Sequence, residues 1–369
     1  MLKKFYFIFL IFIICLAAGI TGCASSESAG SSRSQSQSAS STISPSVFTR
    51  DIRGLGSGAY TSEKITIGKG SKYELEGILT MPEGEMPRGG FPAAVIVHGS
   101  GPMDMDGTAF AYKVYQDVAG YLSSSGIAVI RYNKRTFSHP YEMIRELGGS
   151  LTVYEETIED AVLAANLLKA DPRINSGKVF MIGHSLGGML APRIQASGGN
   201  FAGLVLMAGS PRFLLDLSYD QNVLLIERTM TGEEKANAYA SLSGWDDMVN
   251  TILSIPDEAA KGVDIGGMSA YYLKDLYFNP PANYIDNVRV PVLVLQGDAD
   301  FQVLADKDYV LYKEMFAGRN NVFFNLYEGL NHMFIKSTTG FIDEYNIPGN
   351  VDKQVLEDIS RWIRQASLN

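Results

Sequence analysis

The chain has 369 residues, of which 46% are apolar and 19% charged, a composition that excludes disorder over most of its length. Its formal net charge is -9, from 31 lysines and arginines against 40 aspartates and glutamates, and no block of basic residues follows Lys4. Such a chain offers no electrostatic footprint for nucleic-acid phosphates, so nucleic-acid binding is not predicted.

Residues 1–22 have the features of an export signal. Two lysines near the start precede an apolar run, residues 5–20. As a helix this run is about 24 Å long, shorter than the roughly 30 Å hydrocarbon core of a membrane, which favours a signal over a permanent transmembrane helix.

Both cysteines of the chain, Cys15 and Cys23, lie in this first segment. The region that follows is therefore predicted to have neither a disulfide framework nor a cysteine metal site. Residues Ile20–Cys23 resemble the bacterial lipobox. That resemblance implies that Cys23 is lipidated and anchors an exported protein to the cell membrane on its extracytoplasmic side. A signal peptide without lipidation is the alternative.

Residues 23–47 are dominated by serine and contain almost nothing apolar. A segment of this composition cannot bury enough surface to fold, so we expect a disordered tether. The folded region is then residues 48–369, with no internal repeat.

The folded region begins with two segments that alternate polar and apolar residues, 64–67 and 73–79, which predicts an antiparallel hairpin with one solvated face. Later runs are short, continuous and rich in valine, isoleucine and leucine, as expected of strands buried on both faces of a parallel sheet. These runs are Ala93–Val97, Ile127–Ile130, Val179–Ile182, Leu204–Met207 and Val292–Leu295, and a further strand is expected at Val322–Tyr327.

Helical patterns separate these strands. One covers residues 112–123, and a second covers 153–169 behind a capping box of Thr152 and Glu155. The alternation predicts an α/β fold with a doubly wound, mostly parallel sheet. Residues 211–287 break the rhythm with polar, helix-favouring sequence. We expect them to form a helical cap over the carboxyl edge of the sheet, where ligands of open α/β folds bind.

The strongest chemical motif follows the predicted strand 179–182. Gly183, Ser185 and Gly187 form the pattern G-x-S-x-G between that strand and a helical segment. This turn presents the serine hydroxyl at a helix N-terminus, where backbone N–H groups favour developing negative charge. An ordinary glycine-rich turn is the alternative, and the flanking strand and helix disfavour it.

A nucleophilic serine needs a base, and the chain has only four histidines: His98, His139, His184 and His332. In enzymes with this serine turn, an acid and then a histidine follow the nucleophile along the chain. Only His332 lies beyond Ser185, which predicts it as the base. Asp298 and Asp300 both follow the strand 292–295 as candidate acids, and their spacing does not separate them.

An oxyanion hole completes such a site. One backbone N–H is expected from Leu186, the residue after the nucleophile, and the other from Ser100, in the loop after strand 93–97. No cluster of histidine, aspartate or glutamate has metal-ligand spacing, so neither a metal nor a cofactor is predicted.

Five motifs resemble those of the bacterial α/β-hydrolase carboxylesterases, near the dienelactone hydrolase and bile-acid thioesterase-like group. They are His98–Pro102, Arg131–Arg135, Gly183–Gly188, Gln296–Val303 and Leu330–His332, and the resemblance extends from about Ile65 to the C-terminus. It implies an α/β-hydrolase fold. It also implies that the acid is Asp300, which precedes an aromatic-Gln-Val stretch as in those esterases. Asn133 departs from the family pattern, which commonly has aspartate there.

The sequence therefore predicts a serine carboxylesterase that hydrolyses short-chain acyl esters of small molecules through an acyl-enzyme. A thioesterase or an acyltransferase with the same triad remains open. A prolyl-oligopeptidase-like peptidase is disfavoured because too few residues precede the first motif to form a propeller. A lipoprotein that only binds its ligand would not need the strained serine turn.

Overall fold

The computed structural model describes residues 58–368. The predicted export signal, the lipidation site Cys23 and the serine-rich tether lie outside the described residues, as does the start of the predicted folded region.

Within residues 58–368, eight strands form the main sheet in the spatial order β1-β2-β4-β3-β5-β6-β7-β8. They are β1 (Tyr60–Ile67), β2 (Leu75–Pro82), β3 (Phe91–Val97), β4 (Ala128–Tyr132), β5 (Ile174–His184), β6 (Leu204–Met207), β7 (Val292–Gly297) and β8 (Val322–Tyr327). Strand β2 runs antiparallel to β1 and β4, and all other neighbours are parallel. The predicted hairpin and parallel strands are confirmed, although several strands, above all β5, are longer than predicted.

The helices that connect or follow the strands are α1 (Val114–Ser124), α2 (Arg135–Ser138), α3 (Pro140–Glu146), α4 (Glu159–Ala170), α5 (Leu186–Ile194), α6 (Leu214–Thr229), α7 (Gly232–Leu242), α8 (Trp245–Ser254), α9 (Asp257–Ala260), α10 (Ala270–Phe278), α11 (Ala282–Ile285), α12 (Val310–Met315) and α13 (Lys353–Ala366). In this part of the chain no helix combines the length and the apolar composition that crossing a membrane requires.

Alternate residues of β3 contribute to two separate hydrophobic clusters. Ala93, Val95 and Val97 pack into one cluster, with the apolar faces of α4 and α5. Ala94 and Ile96 pack into the other, with α1 and α13. All five side chains are buried, so the sheet is covered by helices on both faces. The predicted doubly wound α/β architecture is confirmed.

The predicted helix 153–169 is not one regular helix. It opens with a wide π-helical turn, Tyr154–Ile158, and α4 begins only at Glu159. A carboxylate oxygen of Glu155 accepts from the amide of Thr152 at 3.0 Å and from its hydroxyl at 2.6 Å. The bond from the Thr152 amide to Glu155 is thus the one expected of a capping box. The Thr152 hydroxyl, however, accepts from the backbone amide of Tyr154 and not from that of Glu155.

The chain between β6 and β7 is mainly helical. It contains α6–α11 and a small antiparallel ladder that pairs Asp264–Ile265 with Met268–Ser269. We call residues 211–287 the helical insert. Helix α6 brings the insert against the carboxyl ends of the parallel strands, where it lines the cleft described next.

Candidate active site

Ser185 lies at the turn between β5 and α5. Its backbone angles are φ 54° and ψ -117°, a conformation that residues with a side chain rarely adopt. A Cβ atom at Gly183 would lie 2.3 Å from the carbonyl oxygen of Gly187, and one at Gly187 would lie 2.4 Å from that of Val97. Both flanking positions therefore require glycine. The amide of Ser185 donates to the carbonyl of Met207 at 2.8 Å, which ties the turn to β6.

His332 lies in the loop after β8 and contacts one of the two candidate acids. Its Nδ1 is 2.8 Å from Oδ2 of Asp300, and both side chains are buried. The same carboxylate accepts from the Gln296 side chain at 2.9 Å and from the amides of Gln302 and Val303 at 2.8 and 3.0 Å. These donors fix the carboxylate, and a hydrogen bond from Nδ1–H leaves Nε2 of His332 free to accept a proton.

Asp298, the other candidate, makes a different contact. Its side chain is exposed and accepts from the amide of Gly329 at 2.6 Å. This bond ties the turn after β7 to the loop after β8. Asp298 therefore has the contacts of a turn-forming residue. Sequence spacing did not separate the two aspartates, but in the structure only Asp300 contacts His332.

His184 connects the loop of His332 to the loop after β3. Its Nε2 donates to the carbonyl of His332 at 3.0 Å, and its Nδ1 lies 3.3 Å from the Tyr115 hydroxyl. That hydroxyl accepts from the amide of Gly99 at 3.0 Å. Burial, with the nearby imidazole of His332, lowers the pKa of His184 to about 3. A neutral His184 thus acts as a structural link.

The two residues expected to form the oxyanion hole flank the serine. Leu186 is the first residue of α5, where backbone N–H groups have no partner within the helix. Ser100 follows Gly99, and a Cβ atom at Gly99 would lie 3.2 Å from Cβ of Ser185. The loop after β3 therefore touches the serine turn directly.

Ser100, Ser185, Leu186 and His332 line one cleft with about 710 Å³ of empty space. Asp300 reaches this cleft through its contact with His332. The apolar part of the lining comes from Met103, Leu186, Met189, Leu214, Leu217 and Met333. The structure thus brings together all five residues that the sequence selected for the site.

A second cavity, with about 950 Å³ of empty space, adjoins the first. The two share Ser100 and Leu214 in their walls. Most of the second lining is apolar, but Glu156 and Tyr272 also contribute to it.

A buried charged pair near Ser100 was not predicted from the sequence. Lys134 and Glu156 are 1% and 5% exposed, and Nζ of Lys134 lies 2.8 Å from Oε1 of Glu156. Tyr272, from α10, donates its hydroxyl to the other carboxylate oxygen. The available signal was position. Lys134 lies two residues after the end of the buried strand β4, where a charged side chain that becomes buried needs a partner.

Among residues 58–368, no group of three or more histidine, cysteine, aspartate or glutamate side chains has an arrangement that could hold a metal ion.

Comparison with known proteins identifies the family. The model of the alpha/beta hydrolase family matches residues 94–338, about two thirds of the chain. The chain belongs to the alpha/beta hydrolase family. The resemblance found in the motifs is confirmed at the level of the family, and every residue of the candidate site lies within the matched range.

One similar protein is esterase EstD of Thermotoga maritima, which is 37% identical over 295 residues. The alignment covers 78% of this chain and 65% of that esterase, so the chain spans less than two thirds of its relative.

Two solved structures share the fold at low sequence identity. Est1E from Butyrivibrio proteoclasticus, bound to ferulic acid, has a TM-score of 0.51 at 15% identity, with 83% of this chain and 100% of that chain covered. Acylaminoacyl peptidase of Pyrococcus horikoshii has a TM-score of 0.52 at 15% identity, covering 85% of this chain and 42% of that chain.

Proposed function

We propose that this alpha/beta hydrolase is a serine carboxylesterase that hydrolyses small-molecule esters with short acyl chains. The observation that carries the proposal is the buried contact between His332 and Asp300 on the wall of the cleft that also contains Ser185. The identity to a Thermotoga maritima esterase supports the same reaction class.

In the acylation step, Oγ of Ser185 attacks the ester carbonyl carbon and its proton passes to Nε2 of His332. The carbonyl oxygen becomes an oxyanion, which accepts hydrogen bonds from the amides of Ser100 and Leu186. Asp300 holds the imidazole in the correct tautomer and stabilises the imidazolium. The bond to the alcohol oxygen then breaks, and His332 returns the proton to the leaving alcohol.

Deacylation repeats the sequence with water. His332 removes a proton from the water molecule as its oxygen attacks the acyl carbon. The second tetrahedral intermediate collapses by breaking the bond to Oγ of Ser185, which regains its proton from His332. The products are the carboxylic acid and the free enzyme.

The proposed preference for short acyl chains concerns the apolar lining of the cleft. Leu214 and Leu217 of α6 and Met189 of α5 line the same cleft as Ser185. These side chains offer the acyl group an apolar surface, and the proposal is that a short aliphatic chain packs against it.

The test is hydrolysis of p-nitrophenyl acetate, butyrate, octanoate and palmitate by the full chain, with Ser185→Ala as the control. We expect kcat/KM to fall as the acyl chain lengthens beyond butyrate. The Ser185→Ala variant should lose at least about 10³-fold in rate while keeping its melting temperature. Hydrolysis that survives in this variant would contradict the proposal, and so would turnover of thioesters without turnover of oxygen esters.

A further inference from the structure

The buried lysine next to the oxyanion loop has no part in the mechanism given above. Lys134 is 1% exposed, and an ammonium group in such a place is stable only when its N–H groups have partners. Its Nζ has two. One is the carboxylate of Glu156 at 2.8 Å, and the other is the carbonyl oxygen of Gly99 at 2.9 Å.

The contact with Gly99 is informative because of what lies across the peptide bond. The carbonyl of Gly99 and the N–H of Ser100 belong to one planar, resonance-stabilised unit. A cationic donor on the carbonyl oxygen fixes the plane of that unit and draws electron density towards the oxygen. The N–H on the other side becomes a stronger hydrogen-bond donor.

We propose that Lys134 is a positioning residue for the oxyanion hole, which orients and polarises the Gly99–Ser100 peptide so that the N–H of Ser100 binds the developing oxyanion. This inference rests on the proposed function. Lys134 itself does not touch the substrate and acts through the peptide.

The surroundings of Lys134 restrict its movement. Glu156 is held in turn by the hydroxyl of Tyr272. The backbone amide of Lys134 donates to the carbonyl of Met103 at 3.0 Å, which ties the segment after β4 to the loop after β3. In the same loop, the amide of Gly99 donates to the Tyr115 hydroxyl at 3.0 Å. Both backbone polar groups of Gly99 thus have a side-chain partner: its carbonyl accepts from Lys134 and its amide donates to Tyr115.

Because Glu156 neutralises Lys134, the effect on the oxyanion depends on the hydrogen bond to Gly99 and not on net charge. The variants are chosen accordingly. Glu156→Gln alone keeps the bond from Lys134 to Gly99. Adding Lys134→Met removes that bond without leaving a buried, unpaired carboxylate. Adding Lys134→Gln instead supplies a neutral side chain that can still donate to the carbonyl.

The experiment measures kcat and KM for p-nitrophenyl butyrate and the Ki of a trifluoromethyl ketone, whose serine adduct carries an oxyanion. Relative to Glu156→Gln, the Lys134→Met double variant should lose about tenfold in kcat with KM changed less than about threefold. The Ki should rise by the same factor as kcat/KM falls. The Lys134→Gln double variant should recover a large part of both losses.

Equal kcat values for the methionine and glutamine double variants would overturn the role of Lys134, as would a change confined to KM. Should the methionine variant fail to fold, Lys134→Leu in the Glu156→Gln background, which also lacks a donor to Gly99, takes its place in the comparison with Glu156→Gln. The role then requires a lower kcat with a matching rise in Ki, and unchanged values overturn it. Hydrolysis in wild type that does not depend on Ser185 would contradict the proposed function instead, so the two failures are distinguishable.

Discussion

At the scale of single residues, two aspartates only two positions apart have different environments. Asp300 is 4% exposed and its carboxylate contacts His332, whereas Asp298 is exposed and contacts a backbone amide. Both carboxylates are fixed by hydrogen bonds. Only Asp300 is placed to orient the imidazole and to stabilise its protonated form.

This difference predicts the outcome of one substitution at each position. Asp300→Asn should lower kcat by about 10³- to 10⁴-fold, because the amide no longer stabilises the imidazolium and favours the wrong tautomer of His332. Asp298→Asn should change kcat by less than about threefold, since its role is confined to a turn. Steady-state hydrolysis of p-nitrophenyl butyrate measures both. Similar losses in the two variants would contradict the assignment of Asp300.

The sequence was sufficient to select Ser185 and His332. The motif around Ser185 demands a particular turn, and a single histidine follows it in the chain. The acid needed the family resemblance, since both aspartates occupy the same strand end. Lys134 and Glu156 were missed because burial is a property of the tertiary structure, and a lysine beside an arginine is typical of an exposed surface.

At the scale of elements, the loop after β8 carries His332 and is organised around Glu344, which is 1% exposed. Five donors surround its carboxylate at 2.7–3.1 Å: Asn331 Nδ2, Ser337 Oγ and the amides of Thr338, Thr339 and Gly340. Burial raises the pKa of Glu344, but the hydrogen bonds from Asn331, Thr339 and Thr338 outweigh burial and hold the pKa below its ordinary value. The charged carboxylate therefore stabilises the loop.

Glu344→Gln should weaken this loop. Wherever the new NH₂ group lies, it would face one of the donors that now surround the carboxylate. Asn331 cannot rotate its side-chain amide to offer an acceptor instead, because the oxygen of that amide already accepts from the backbone amides of Met333 and Ile335. We expect the free energy of unfolding to fall by about 1–3 kcal/mol, with a lower kcat because His332 is less firmly held. Urea denaturation measures the first effect. Asp343→Asn, at an exposed neighbour, is the matched control, and an equal loss there would contradict the role of Glu344.

Element types were easier to predict than their boundaries. The five short, continuous apolar runs are typical of strands buried on both faces, and all five form strands of the main sheet, as does the predicted strand 322–327. Helix 153–169 was predicted as regular because its apolar spacing is helical, yet its first turn is π-helical. Such a turn depends on packing against neighbouring elements, which periodicity does not report.

At the scale of the whole molecule, two neutral histidines are part of the core. His98 and His184 are 2% and 3% exposed. Burial, with the nearby charge of Lys134, lowers the pKa of His98 to about 3, and that of His184 is also about 3. Both side chains are protonated in the unfolded chain below about pH 6.5.

Between pH 6.5 and about 3, the unfolded chain therefore binds more protons than the folded chain. The free energy of unfolding should fall as the pH falls, with each histidine contributing up to about 1.4 kcal/mol per pH unit. Urea denaturation at pH 6.5 and pH 5.0 measures the slope, in a range where most carboxylates do not titrate. The double variant His98→Gln/His184→Gln should have a smaller slope, and the same slope as wild type would contradict this account.

The length and composition of the chain predicted a sizeable buried core, and the order of its elements predicted helices on both faces of the sheet. The shape of the cleft did not follow from the sequence, because α6 and its neighbours in the helical insert have no strand register to position them. Their placement depends on side-chain packing, as in the hydrophobic cluster that contains Leu214 and Leu215 of α6 together with Leu186 and Met189 of α5.

The central claim is that Ser185 is the nucleophile, and the cleft contains two other serines, Ser100 and Ser210. The most direct measurement is labelling of the full chain with a fluorophosphonate, followed by mass spectrometry of the modified peptide. The account predicts a single adduct, on Ser185, that short-chain esters compete away and that Ser185→Ala abolishes. An adduct on Ser100 or Ser210, or a folded protein that does not react, would contradict it.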